Sequence, residues 1–144
     1  CYPNVVLRKV ADSLAGNYTY VVMDNEAGME HLSRRTTQNI DALLLVSNHS
    51  IKGVRTLARI RDLVSELGLV VKKQFVIINM VPDGMATTVS EELAKLNLAP
   101  AVLIPEDRLL YQYDVEAKPL LDLPDSSKAV SSVDKLMDQI IGRN

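Results

Sequence analysis

Four short apolar runs punctuate the chain: Tyr20–Met23, Ala42–Val46, Phe75–Ile78 and Ala101–Ile104. Each is continuous rather than alternating, the pattern of strands buried on both faces in a parallel sheet covered by helices. Between the runs, apolar residues recur three and four apart. Residues 51–67 place Ile51, Val54, Leu57, Ile60, Val64 and Leu67 on one stripe and Lys52, Arg55, Arg59, Asp62 and Glu66 on the other, with Gly68 as a left-handed stop. Residues 4–15 repeat the idea with Leu7, Val10, Ala11 and Leu14 ahead of Gly16. Thr88-Val89-Ser90-Glu91 reads as a capping box that opens a short helix through Leu96. A last helix is predicted after Ser126 or Ser127, with Val130, Val133, Met137, Ile140 and Ile141 on its apolar stripe and Gly142 at its end. A helix followed by four strand–helix units predicts an α/β fold: a mostly parallel sheet of about four strands, helices on both faces and right-handed crossovers. No repeat, linker or low-complexity tract interrupts it, so residues 1–144 read as a single domain.

Composition narrows the function classes. At 144 residues, 47% hydrophobic and 24% charged, the chain has the balance of an ordinary globular domain rather than a disordered one. The net charge of −2 conceals an asymmetry: residues 1–82 carry ten Lys/Arg against seven Asp/Glu, residues 83–144 six against eleven. The basic residues stand at helical spacing among acids, and five Tyr and one Phe give little for bases to stack on, so no nucleic-acid partner is predicted. Lys72 and Lys73 interrupt the longest apolar stretch, which excludes a membrane-spanning helix there. One Cys and no secretory signal point to the cytoplasm.

The six glycines, at 16, 28, 53, 68, 84 and 142, exclude both G-x-x-x-x-G-K-[ST] and G-x-G-x-x-G within these residues. A helical pattern begins almost at Cys1, which predicts that the chain is the C-terminal portion of a larger protein.

In open α/β sheets ligands bind beyond the carboxyl ends of the strands. Those ends read Asp24-Asn25-Glu26-Ala27-Gly28-Met29-Glu30-His31, Ser47-Asn48-His49-Ser50, Asn79-Met80-Val81-Pro82-Asp83-Gly84 and Pro105-Glu106-Asp107. An Asp at a strand end with Gly four residues on can hold a Mg²⁺-bound water and offer a backbone N–H to a terminal phosphate. A turn glycine after an Asp cap accounts for the same pair. Likewise, Asn79 would serve equally to cap a turn before Pro82, and Pro105 to end a strand. His31 and His49 fit no metal-ligand spacing and read as surface or loop residues. Glu26, Glu30, Arg34 and Arg35 read either as solvated charges or as a switch surface that changes contacts between states.

The run from Val21 to Arg35, with its Asp24-Asn25-Glu26-Ala27-Gly28-Met29-Glu30-His31, followed by Leu44–Asn48, Gly53–Ile60 and Val76–Asn79, resembles the carbon monoxide dehydrogenase accessory ATPases. These are nickel-insertion proteins of the MinD/ParA/NifH-like group of P-loop ATPases, and the resemblance extends from Cys1 to the last helix. It implies a partial P-loop NTPase fold whose phosphate loop lies upstream. It implies Asp24 near Mg²⁺ and the attacking water, and Gly28 as the switch glycine sensing the γ-phosphate. It further implies Asn79 on the adenine edge, and Pro105, Glu106 and Asp107 lining the base on its other side. Met80 stands where such ATPases usually have Lys. In that family a Cys-x-Cys pair precedes a helix, and two pairs in a dimer make one thiolate site suited to nickel or zinc; Cys1-Tyr2-Pro3 retains one cysteine at most.

The function implied is that of the C-terminal part of an ATP-dependent metallochaperone. ATP or ADP with Mg²⁺ is its cofactor, a homodimer its assembly, and carbon monoxide dehydrogenase or a related nickel enzyme its client. Without a phosphate loop the chain alone is expected to be inactive. A second class is a non-catalytic dimerisation or docking module derived from such an ATPase, using an exposed sheet edge. A third, a receiver-like domain with Asp24 as phosphoacceptor, needs an earlier acidic pair and a late-strand Lys that the sequence does not show.

Overall fold

A computed structural model describes residues 13–14, 16–25 and 39–142. Strand β1 (Asn39–Asn48) leads into α1 (Ile51–Glu66), β2 (Val70–Val81), α2 (Thr87–Lys95) and β3 (Pro100–Pro105). Helix α3 (Arg108–Val115), a 3₁₀ turn (Leu120–Asp122) and α4 (Lys128–Ile141) follow. The sheet has the order β1-β2-β3 and both pairings are parallel. Three of the four predicted runs are therefore strands, each longer than its apolar centre because ladder bonds carry the pairing beyond the buried residues. Lys72 and Lys73 thus sit inside β2, near its solvent-exposed start, where Lys72 Nζ donates to Asp41 Oδ1 of β1 at 2.6 Å.

The fourth run departs from expectation. Tyr20–Met23 has no strand structure and is exposed, with Val22 at 87%. A continuous apolar run has side chains for two buried faces, but a strand also needs a neighbour for its backbone. The sheet of the described residues, β1-β2-β3, does not include this run. The predicted helix over 4–15, apart from residues 13 and 14, lies outside the described residues.

Leu45, Val76 and Ile78 on one face of the sheet form the core with Val54 and Leu57 of α1 and Val89 and Leu93 of α2. Two successive crossovers in one direction put both helices on that face. Arg55 Nε donates to Glu92 Oε1 at 2.6 Å, and Arg61 Nη1 to the Leu96 carbonyl at 2.7 Å, tying α1 to α2. Ile77 faces the other way and is buried, α4 packs against β3, and the buried Ala129 and Leu136 of α4 stand outside the first cluster. Helices thus flank both faces. No helix among the described residues is long and apolar enough to cross a membrane.

Two helix details differ from the sequence pattern. The Thr88–Glu91 capping box does not form: α2 starts two residues earlier, at Thr87, with Ala86 at its N-cap and no side-chain cap. Thr88 is already inside the first turn, so its hydroxyl is past the position that caps. The stripe expected on α4 is rotated as well, since Ala129 and Leu136 are buried whereas Val133 and Met137 are 41% and 37% exposed. Close approach to β3 selects the small Ala129, which periodicity alone ranks below the larger apolar residues. The ends of α4 match expectation, with Ser127 accepting from the Val130 amide and Gly142 at φ +75°.

Candidate nucleotide-binding edge

The carboxyl ends of the three strands lie side by side. Asn48 is in register with Asn79, Val81 pairs with Pro105, and the Glu106 amide donates to the Val81 carbonyl at 2.9 Å, one residue beyond β3. Asn79, Pro105, Glu106 and Asp107, four of the residues singled out in the sequence, therefore share one edge.

Asn79 is half-buried and its Oδ1 accepts from the Met80 amide at 2.8 Å. Met80 adopts φ +57°, a left-handed conformation uncommon for a side chain of this kind. The Asn79 amide thus pins a strained irregularity in β2, where the register to β3 shifts, through one lone pair, leaving its Nδ2 without a partner among the described residues. The other Oδ1 lone pair is likewise unused. An acceptor and a donor presented together are what the adenine N6 and N7 positions match. Guanine, with O6 in place of the amino group, does not.

Asp107 is engaged in a different way. Its Oδ1 accepts from the Leu109 amide at 2.9 Å, capping α3, while Oδ2 accepts from Ser127 Oγ at 2.6 Å and from the Ala129 amide at 3.1 Å, at the start of α4. The Ser127 hydroxyl, and the Ala129, Leu109 and Leu110 amides, hold this carboxyl below the usual carboxylate range against the opposing effect of partial burial. The side chain expected beside a base is therefore committed to holding two helices. Pro105, half-buried, and Glu106, exposed, remain on the open side.

Asp24 is exposed and makes no hydrogen bond or ion pair with a described residue. Gly28, Cys1, His31, Glu26, Glu30, Arg34 and Arg35 lie outside the described residues. Among the described residues no three His, Cys, Asp or Glu side chains gather to hold a metal ion.

Sequence reasoning named Ser47–Ser50 as a polar strand end but assigned it no role. The structure opens a cleft of about 330 Å³ there, next to Asn79 in register and lined by Ser47, Asn48, Ser50, Lys52, Gly53 and Thr56 among others. Ser50 caps α1, accepting from the Gly53 amide at 3.0 Å and donating to Asn48 Oδ1 at 2.6 Å. A Cβ on Gly53 would overlap Ser47 Oγ and Asn48 Oδ1, so a larger residue at 53 would displace these two side chains from the start of the helix. The helix N-terminus and Lys52 give the cleft positive character. His49 Nδ1, in the same loop, is buried without a hydrogen-bond partner among the described residues. The readable signal was the glycine three residues after a Ser that caps a helix.

No protein-family model matches the chain. It is 34% identical over 143 residues to an uncharacterised ATP-binding protein of Methanocaldococcus jannaschii, covering 99% of this chain and 56% of that protein. A second uncharacterised ATP-binding protein of the same organism is 29% identical over 144 residues, with 98% and 54% covered. The chain thus spans about half the length of the curated relatives it matches. Among solved structures, MinD cell division protein of Aquifex aeolicus superposes with TM-score 0.74 at 21% identity, over 98% of this chain and 61% of that one. MinD of Pyrococcus furiosus gives TM-score 0.72 at 19% identity, over 96% and 58%. MinD of Pyrococcus horikoshii, solved with Mg-ADP, gives 0.71 at 20%, over 93% and 55%. The three-stranded parallel sheet and its flanking helices are therefore a MinD-like α/β fold, consistent with part of a P-loop NTPase, in a chain whose relatives are ATP-binding proteins.

Proposed function

We propose that the chain forms the base-binding and switch side of the nucleotide site in a MinD/ParA-type ATPase. The observation that carries this is the Asn79 amide, half-used and beside the Pro105–Asp107 loop on an open strand-end edge. Asn79 would take the adenine edge, with Pro105 and Glu106 along the base. Asp24 would orient a water near Mg²⁺ and Gly28 would offer its amide to the γ-phosphate, roles that rest on the resemblance of residues 21–35. Mg²⁺, when bound with the nucleotide, supplies charge neutralisation at the phosphates. A phosphate loop is absent from these residues, so the phosphate contacts that dominate affinity would come from elsewhere.

Millimolar ATP is accordingly expected to shift the amide resonances of Asn79, Met80 and Glu106 in the 144-residue chain without hydrolysis. Unperturbed resonances there would overturn the base-binding role. Stoichiometric micromolar binding in calorimetry would overturn the division of labour between these residues and a phosphate loop.

The narrower reading is ATP-driven nickel delivery to carbon monoxide dehydrogenase by a homodimer that joins cysteines at Cys1. It rests on the same resemblance. Loss of nickel binding in Cys1→Ser supports it, and unchanged binding removes it. A docking module remains the alternative, favoured by the exposed Leu44 and Val46 on β1.

A further inference from the structure

We infer that Ser127 is a positioning residue for base recognition, an inference that rests on the base-binding reading of Asn79 and goes beyond it. Ser127 is 48 residues from Asn79 in sequence. It is the buried polar residue of the described chain, 1% exposed. Its amide donates to the Pro124 carbonyl at 2.8 Å, closing the turn that sets the start of α4, and its hydroxyl accepts from the Val130 amide at 3.1 Å. The same hydroxyl donates to Asp107 Oδ2 at 2.6 Å.

Capping uses only a lone pair of the hydroxyl oxygen; its proton, buried with it, must be donated, and here it is donated to the residue that follows Glu106. The effect of that bond is on the loop between β3 and α3. On one side the loop is held to β2 by the Glu106 amide on the Val81 carbonyl, two residues from Asn79. On the other it is held to α4 through Asp107, whose Oδ2 would otherwise keep only the Ala129 amide. Glu106 thus carries the first anchor on its own amide and is followed directly by the second. A short loop fixed at both ends presents its backbone at a set distance from the Asn79 amide, and discrimination between bases depends on such placement, since a misdirected donor or acceptor loses its bond. With the Ser127 anchor gone, Asn79 itself is untouched but the opposite wall of the base site can drift.

The test uses the full chain and amide-resonance titrations with ATP and, separately, GTP. Wild type is expected to respond at Asn79 and Glu106 to lower concentrations of ATP than of GTP. Ser127→Ala should reduce that preference about fivefold, the scale of one net hydrogen bond, while Ser127→Thr, which keeps the hydroxyl, should retain it. Ser127→Gly removes the hydroxyl at a position where glycine is a tolerated N-cap, and it carries the test should the alanine variant not fold. A purely structural cap would lower the melting temperature in these variants without changing the ratio of ATP to GTP response. Wild-type preference in folded Ser127→Gly overturns the inference and leaves the Asn79 reading standing. A wild type that responds to neither nucleotide overturns both.

Discussion

Asp107 shows how one carboxylate can be read two ways. At the residue scale its four lone-pair directions receive two amides and a hydroxyl from the beginnings of two helices, and those donors favour the ionised form. The folded-state pKa is depressed, so the stabilisation is fully present above the unfolded value of about 3.9 and is lost as pH falls through the lower folded value. Asp107→Asn lacks the charge at every pH. Its deficit against wild type in chemical denaturation is therefore expected to be largest near neutrality and to shrink below about pH 4; a deficit independent of pH would show that the charge contributes nothing. In the sequence this residue stands out through the resemblance alone, as part of Pro105-Glu106-Asp107 after a strand. Its capping role is hidden there, because the second partner, Ser127, comes twenty residues later and meets Asp107 only through the packing of α4 on β3.

At the element scale, three helices end in the same hydrogen-bond arrangement with different residues in the left-handed position. After α1, Gly68 has φ +65°, its amide donates to the Ser65 carbonyl, and the Leu69 amide donates to the Val64 carbonyl. Asn97 repeats this after α2 at φ +52°, and Ala117 after α3 at φ +52°. Glycine takes this conformation freely, asparagine with modest cost, and alanine against its Cβ. Ala117→Gly is expected to stabilise the protein by about 0.5–1 kcal/mol, raising the melting temperature by a few degrees, whereas Gly68→Ala should destabilise it by a similar amount. A neutral Ala117→Gly would mean that the α3 terminus relaxes in solution.

This also explains which ends were readable. Gly68 and Gly142 announced themselves, because glycine has few other reasons to stand there. Ala117 carries no such mark, and helix α3 was not anticipated at all. Its eight residues bury no side chain, so no apolar stripe reports it. The strands of the sheet were legible from their continuous apolar centres. The state of Tyr20–Met23 was not, since pairing depends on a neighbour distant in sequence.

For the whole molecule, the asymmetry of the sheet has a measurable consequence. β1 and β3 each lack an outer strand partner among the described residues, but α4 packs against β3. On the face shared with Ile77, Leu44 is 40% and Val46 55% exposed. Between Ile40 and Val46 the only charge is Asp41, which is already paired with Lys72 near the start of the strand. An edge of this kind lacks the lysines, prolines and bulges that ordinarily discourage pairing with another chain. Self-association through it would be driven by apolar burial and ladder bonds. It would therefore depend weakly on salt, in contrast to association through surface ion pairs. Light scattering of the wild-type chain is expected to show mass rising with concentration, and Val46→Lys, placing a charge on the open edge, to keep the single-chain mass. Because the Val46 side chain is already more than half exposed, the substitution should cost the fold at most about 0.5 kcal/mol, so a change in mass reports the edge rather than unfolding. A wild type that remains a single chain at high concentration would remove the docking-module alternative. Association that survives Val46→Lys would move the contact away from β1.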